Sequence, residues 1–182
     1  MKIAGVVGAA FVLVCQITVA DVFFDIESNR YDFASWRGTT SRPYNRIVNG
    51  WKIPDFYFAT NGLSASCESY GSIQAPNCSL EWNGAPVLLI NAVVATNVVS
   101  AQEKVLSFFT KMATAPAFER VPTAGIGDVY YEYPGTNSWC GAVFSRNNIS
   151  VWVSSFTNSL SARAISRQID ADILRRSTEA DQ

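Results

Sequence analysis

The chain of 182 residues contains no histidine. That absence removes the Ser-His-Asp triad, the Cys-His dyad and any imidazole-ligated metal from what the chain can build alone. Charge of either sign is scarce as well. Fourteen basic and 15 acidic side chains leave a formal net charge of −1, so no overall field draws the chain to nucleic acid. The cysteines, Cys15, Cys67, Cys78 and Cys140, are spaced too widely for a zinc site. No internal repeat or low-complexity run divides the sequence. These residues predict neither a cofactor nor a metal, and they assemble no recognisable catalytic constellation.

What is present begins with one long apolar run. Met1-Lys2 is followed by an uncharged stretch from Ile3 to Ala20, with an apolar core up to Val14 and a Thr18-Val19-Ala20 end. This pattern predicts a secretory signal peptide, residues 1–20, cleaved after Ala20. Gln16 and Thr18 interrupt the run just before Asp21, which argues against a transmembrane anchor. A lipidated Cys15 would need a small residue before it, and Val14 is not small. The expected product is secreted or periplasmic, with no membrane anchor after cleavage. Residues 21–176 then form one domain, and 177–182 a flexible tail.

An exported setting permits oxidised cysteines. Cys67 and Cys78 close a short loop containing Gly71, Pro76 and Asn77, and they form the expected disulfide; Cys140, between Trp139 and Gly141, is left free. Three mature cysteines still allow three single pairings, which geometry must decide.

From Asp21 to Gly84 the sequence is aromatic and rich in turn residues. Ile47–Ile53 and Phe56–Thr60 are strand candidates, and Arg42-Pro43, Asn49-Gly50 and Asn61-Gly62 read as turns. The same region interleaves arginines with aromatics. Trp36, Arg37, Arg42, Tyr44, Trp51 and Trp82 are the candidate ligand-binding residues, as a stacking and charged platform for a glycan or other polyanion. The competing reading is that the aromatics fill a core while the arginines lie on the surface.

Ala85–Asn97 is apolar on both alternating faces, as in a central strand, with Asn91 a structurally satisfied polar residue within it. Ser100 and Glu103 form a capping box, and Ala101, Val105, Phe108, Phe109 and Met112 give a helical apolar stripe ended by Pro116. Gly125-Ile126-Gly127 precedes a strand rather than a helix, so it reads as a tight loop and not a phosphate cradle. Three strands follow: Val129–Tyr133, Cys140–Ser145 and Ile149–Ser155, the last two joined through Arg146-Asn147-Asn148. In the last, Ile149, Val151 and Val153 face the core, and Trp152 is covered by the aromatic N-terminal region. A helix then runs from Leu160 to Arg176, capped by Asn158 or Ser159, with Ala162, Ile165, Ile169 and Ile173 as its apolar face. Arg163 and Arg167 can pair with Asp170 on the opposite side. The element order predicts an α+β fold: a mainly antiparallel sheet, two helices packed on one face, and an irregular aromatic β region before them.

Gly125-Ile126-Gly127-Asp128, Asn147-Asn148-Ile149-Ser150-Val151-Trp152-Val153 and the helix Ala162–Ile173 together resemble small exported bacterial proteins and lipoproteins with a PsbP-like α/β sandwich. The resemblance covers about the last 90 residues. It implies a fold and an envelope setting and carries over no site residues.

The function expected from this reading is a non-enzymatic exported domain that binds a protein partner or an envelope or glycan component. One alternative is a His-free enzyme acting on a glycan through Asp128 with Glu132, or through Glu81 beside Trp82. Another is a secreted effector or a glycoprotein, with acceptor sequences at Asn77-Cys78-Ser79 and Asn148-Ile149-Ser150, both placed in turns. Asp170 and Asp172, two apart on a helix, point different ways and make a poor metal site.

Overall fold

The computed structural model describes residues 19–40, 48, 51, 64–70, 75–82, 85–111, 118–136, 139–157 and 159–179. The elements in order are α1 (Val19–Arg30), a 3-10 turn (Phe33–Ser35), β1 (Ser64–Tyr70), β2 (Ala75–Trp82), β3 (Ala85–Val94) and α2 (Val98–Lys111). They continue with β4 (Glu119–Arg120), a second 3-10 turn (Pro122–Ala124), β5 (Val129–Thr136), β6 (Trp139–Arg146), β7 (Ile149–Ser155) and α3 (Ala162–Glu179). The fold is α+β. Its seven strands lie in the order β1-β2-β3-β7-β6-β5-β4, and every described pairing is antiparallel.

Alternation along the strands builds two cores, one on each face of the sheet. Ile149, Val151 and Val153 of β7 share one face with Ala142 and Phe144 of β6, Leu88, Ile90 and Ala92 of β3, and Tyr130 of β5. The α3 stripe of Ala162, Ile165, Ile169 and Ile173 seals this face. Val143, Val129 and Tyr131 point the other way, into Val105, Leu106, Phe108 and Phe109 of α2. The helices therefore do not share a face as the apolar patterns suggested. β3 is apolar on both alternating faces, and β7 sets Ile149, Val151 and Val153 on one face and Trp152 between the buried Ser150 and Ser154 on the other, so both faces of the sheet need cover.

The N-terminal region corrects a second expectation. Within residues 19–40 the chain forms α1 and a 3-10 turn joined by turns rather than irregular β, and Phe24, Tyr31, Phe33 and Trp36 enter the α2 core. Tyr31 stacks on Phe109 at 4.0 Å and meets Tyr131 edge-on at 5.3 Å. The Tyr131 hydroxyl donates to the Tyr31 carbonyl at 2.7 Å, and burial pushes its phenol up to about 12. Trp152 lies on this face, 5.7 Å from Phe108 of α2. The strand candidates at 47–53 and 56–60 fall outside the described residues apart from Val48 and Trp51.

Helix ends differ from the pattern as well. α2 starts two residues before the expected capping box; Asn97 Oδ1 accepts the Ser100 amide at 2.8 Å, and Glu103 instead reaches Arg37 at 3.4 Å. Ser161, not Asn158 or Ser159, caps α3, its Oγ accepting the Ala164 amide at 3.2 Å. At the other end α3 runs on to Glu179 with Ser177 buried, so the expected tail from 177 is still helix at its start.

The loop before β5 behaves as the glycines imply. Gly125 and Gly127 adopt φ of +66° and +65°. A Cβ on Gly127 would lie 2.6 Å from the Ser145 carbonyl oxygen and 2.9 Å from that of Val129, whereas one on Gly125 would meet nothing within 4 Å. Gly125→Ala therefore costs only the left-handed backbone penalty of about 1 kcal/mol. Gly127→Ala adds a backbone clash and costs at least about 2 kcal/mol, a ranking that urea denaturation of the two variants measures directly.

Candidate functional site

The end of the sheet where β5 begins and β6 turns into β7 carries a buried ionic cluster. Arg146 is the last residue of β6, in phase with Ala142 and Phe144, so its side chain enters the α3 face. There its Nε and Nη2 donate to the two carboxylate oxygens of Asp170 at 2.6 and 2.8 Å. Its Nη1 donates to Asp128 Oδ1 at 3.1 Å, and Asp128 Oδ2 accepts the Asn147 amide at 2.7 Å. The side chains of Arg146, Asp128 and Asp170 are 2%, 1% and 5% exposed. Burial works against the guanidinium charge, but the bonds and fields of Asp170 and then Asp128 outweigh it and hold the Arg146 pKa above its ordinary value. A bidentate pair with one carboxylate and a further bond to a second is the dense hydrogen bonding that a buried guanidinium requires.

A cavity of about 300 Å³ opens over this cluster, walled by Val121, Pro122, Ile126 and Val129, with Asp128 and Arg146 in its floor. Arg120 lines it too; the residue is exposed and its guanidinium donates to Ser35 Oγ at 3.4 Å. A second cavity of about 280 Å³ lies further along the same strand, beside Glu132, Cys140, Ser161 and Arg163. Glu132 accepts from Tyr130 at 2.9 Å and from Arg163 Nε at 2.7 Å, and Arg163 Nη2 closes a bidentate pair. The Arg163 hydrogen bonds hold the Glu132 carboxyl below its ordinary range, outweighing burial. Burial, reinforced by Glu132, drives the Tyr130 phenol in the opposite direction, far above its ordinary value.

These contacts redraw the carboxylate hypotheses. Asp128 is engaged by Arg146 and the Asn147 amide, and Glu132 by Arg163 and Tyr130. A general acid also needs a raised pKa, and that of Glu132 is lowered. Asp170 is paired with Arg146 and Arg163 with Glu132, so the expected pairing of Asp170 with Arg163 and Arg167 is corrected. Asp172 faces a different set: Trp51 Nε1 at 2.9 Å, Arg175 at 2.6 Å and Arg176 at 3.2 Å. Among the described residues no three potential metal ligands gather.

The aromatic platform residues are dispersed. Trp36 is fully buried on the α2 face, its Nε1 donating to the Tyr31 carbonyl at 2.9 Å. Trp51 is 2% exposed on the α3 face. The sheet stands between them, so these two do not share a surface. Arg37 is exposed beside Glu103. Arg42 and Tyr44 lie outside the described residues, as do the side chains of Trp82 and Glu81 beside it, whose backbones end β2.

Of the two acceptor asparagines expected in turns, only Asn148 is in one. Asn77 lies within β2, between Glu68 of β1 and Asn91 of β3. Asn148 does occupy a turn, but it is fully buried. Its Nδ2 donates to the carbonyls of Val48 and Ala95 at 3.2 and 2.8 Å, and its Oδ1 accepts the Val48 amide at 2.7 Å. A glycan on that nitrogen is incompatible with this fold. Comparison with models of known protein families, with curated proteins and with solved structures finds no match.

Two outcomes follow from the ionic contacts. Arg146→Ala leaves two carboxylates buried without their cation and costs about 3–5 kcal/mol in chemical denaturation. Glu132, with its folded-state pKa lowered, contributes stability above its ordinary value near 4.5, and that contribution disappears as pH falls through the lower folded value. The denaturation midpoint of Glu132→Gln therefore lies below that of the parent at pH 7, and the gap closes as the pH is taken below 4.

Proposed function

We propose that the chain is an exported, non-enzymatic domain that binds an acidic segment of a partner protein at the cavity above the Asp128–Arg146–Asp170 cluster. The observation that carries this reading is the character of the cavity. Of its lining residues, Asp128 and Arg146 are bonded to one another, Val121, Pro122 and Ile126 supply apolar surface beside a polar half, and the cation Arg120 is exposed. A mixed lining with one exposed cation and its other charges already paired favours recognition over acid–base work, which needs a titratable group in contact with water or substrate. The committed state of Asp128 and Glu132 supports the same reading. Export rests on the leader-like residues 1–20, and none of the described helices is long and apolar enough to cross a membrane. The resemblance to exported PsbP-like proteins belongs to the same proposal.

Immobilised mature domain is expected to retain a discrete protein from a solubilised envelope fraction of its host. Arg120→Glu, on a surface that leaves the folded signal unchanged in circular dichroism, lowers that retention at least tenfold. Equal retention by both proteins rejects the cavity. Retention of polysaccharide alone replaces the protein partner by a glycan, and polysaccharide cleavage that vanishes in Asp128→Asn overturns the non-enzymatic reading.

A further inference from the structure

We infer that Cys67 and Cys78 form a cross-strand disulfide that ties edge strand β1 to β2, and that Cys140 takes no part in it. The inference rests on the exported reading for its oxidising setting and on the sheet register for its geometry. Cys67 of β1 is the direct register partner of Cys78 of β2. Directly opposed residues of an antiparallel pair lie on one face, with Cα atoms about 4.5 or 5.5 Å apart according to the type of pair, and both values suit a disulfide.

The sheet order excludes the other pairings. Cys78 pairs with Ile90, Ile90 with Val153, and Val153 with Ala142 of β6, so three strand spacings separate Cys78 from the strand that carries Cys140. At about 4.8 Å each that is roughly 14 Å, and Cys67 stands one strand further off. A disulfide spans Cα distances below about 7 Å. Cys140 is free and half-buried, with its Sγ 3.9 Å from the Leu160 carbonyl oxygen. The register therefore reduces three possible pairings to one.

The position gives the bond a task. β1 is an outer strand, with β2 as its one partner in the strand order, and its sequence Ser64–Tyr70 contains neither lysine nor proline to discourage pairing with other chains. At the opposite edge β4 has two residues, both charged and exposed, and Pro122 follows two positions on. A covalent rung holds β1 on its sheet where sequence-level protection is thin. Its formation is a two-electron oxidation: two thiols lose two protons and two electrons, which an exchanging protein or small-molecule disulfide accepts as its S–S bond breaks and it is reduced to two thiols.

The test uses full-length protein, purified reduced and equilibrated in a glutathione redox buffer, then alkylated under denaturing conditions without reductant and digested. The peptides containing Cys67 and Cys78 are expected as one linked species, lighter by two hydrogens than their sum, with Cys140 fully alkylated. Cys67→Ser makes Cys78 alkylatable, and Cys140→Ser leaves the link intact. Alkylation of both Cys67 and Cys78, or a link from either to Cys140, overturns the inference. Protein isolated from its native host separates the two premises: a link that forms in the buffer and is missing there overturns the exported setting and leaves the register assignment standing.

Discussion

The fold depends on one guanidinium placed where an apolar side chain would ordinarily stand. Arg146 follows Phe144 on the α3 face, and by closing on Asp170 and Asp128 it fastens the end of β6 to the middle of α3 and to the first residue before β5. The Asn147 amide, held by the same Asp128 carboxylate, brings the following turn into the arrangement. A hydrophobic residue at that position would fill space without specifying angle. A bidentate fork bonded to a helix carboxylate fixes how α3 lies across the strands, which is the specificity that buried ion pairs supply even when their net stabilisation is small. The glycine at 127 serves the same junction, because only there can the chain pass close enough to the Ser145 carbonyl to deliver Asp128.

Where period and composition agreed, the elements were legible. β5, β6, β7 and the long helix follow the expected runs because alternation of Ile149, Val151 and Val153 against the stripe Ile165, Ile169 and Ile173 leaves few other ways to bury them. What could not be read was the allocation of helices to faces, since strands apolar on both sides accept a helix on either. β1 was also hidden: Ser64–Tyr70 is mostly serine and small residues, and its strand state comes from pairing rather than propensity. The Arg146 cluster left a faint trace, because strand parity puts Arg146 in line with Ala142 and Phe144. Its neighbours Asn147-Asn148 read so strongly as a turn that the arginine was absorbed into it.

The aromatic N-terminal region illustrates how a compositional signal divides in three dimensions. Trp36 and Trp51 lie 15 positions apart in the chain and serve cores on opposite sides of the sheet. Each indole nitrogen finds a partner, a carbonyl for one and a carboxylate for the other, which is how a large amphipathic side chain is buried without loss. Arginines and aromatics close in sequence thus part company, and the exposed cation beside the cavity is Arg120, about 70 positions beyond Trp51 in the chain.

Asn148 has a consequence for how the entropic cost of assembly is divided. Its side-chain amide offers Val48 a donor and an acceptor together, as a neighbouring strand would, across a sequence separation of 100 residues. That surrogate strand exists only once β6 and β7 have closed their local two-residue turn. Hairpin closure on this scale takes microseconds, whereas bringing Val48 to it closes a far longer loop at greater entropic cost. The contact of Val48 with Asn148 therefore carries the larger share of loop-closure entropy, and the β6–β7 turn it meets carries the smaller.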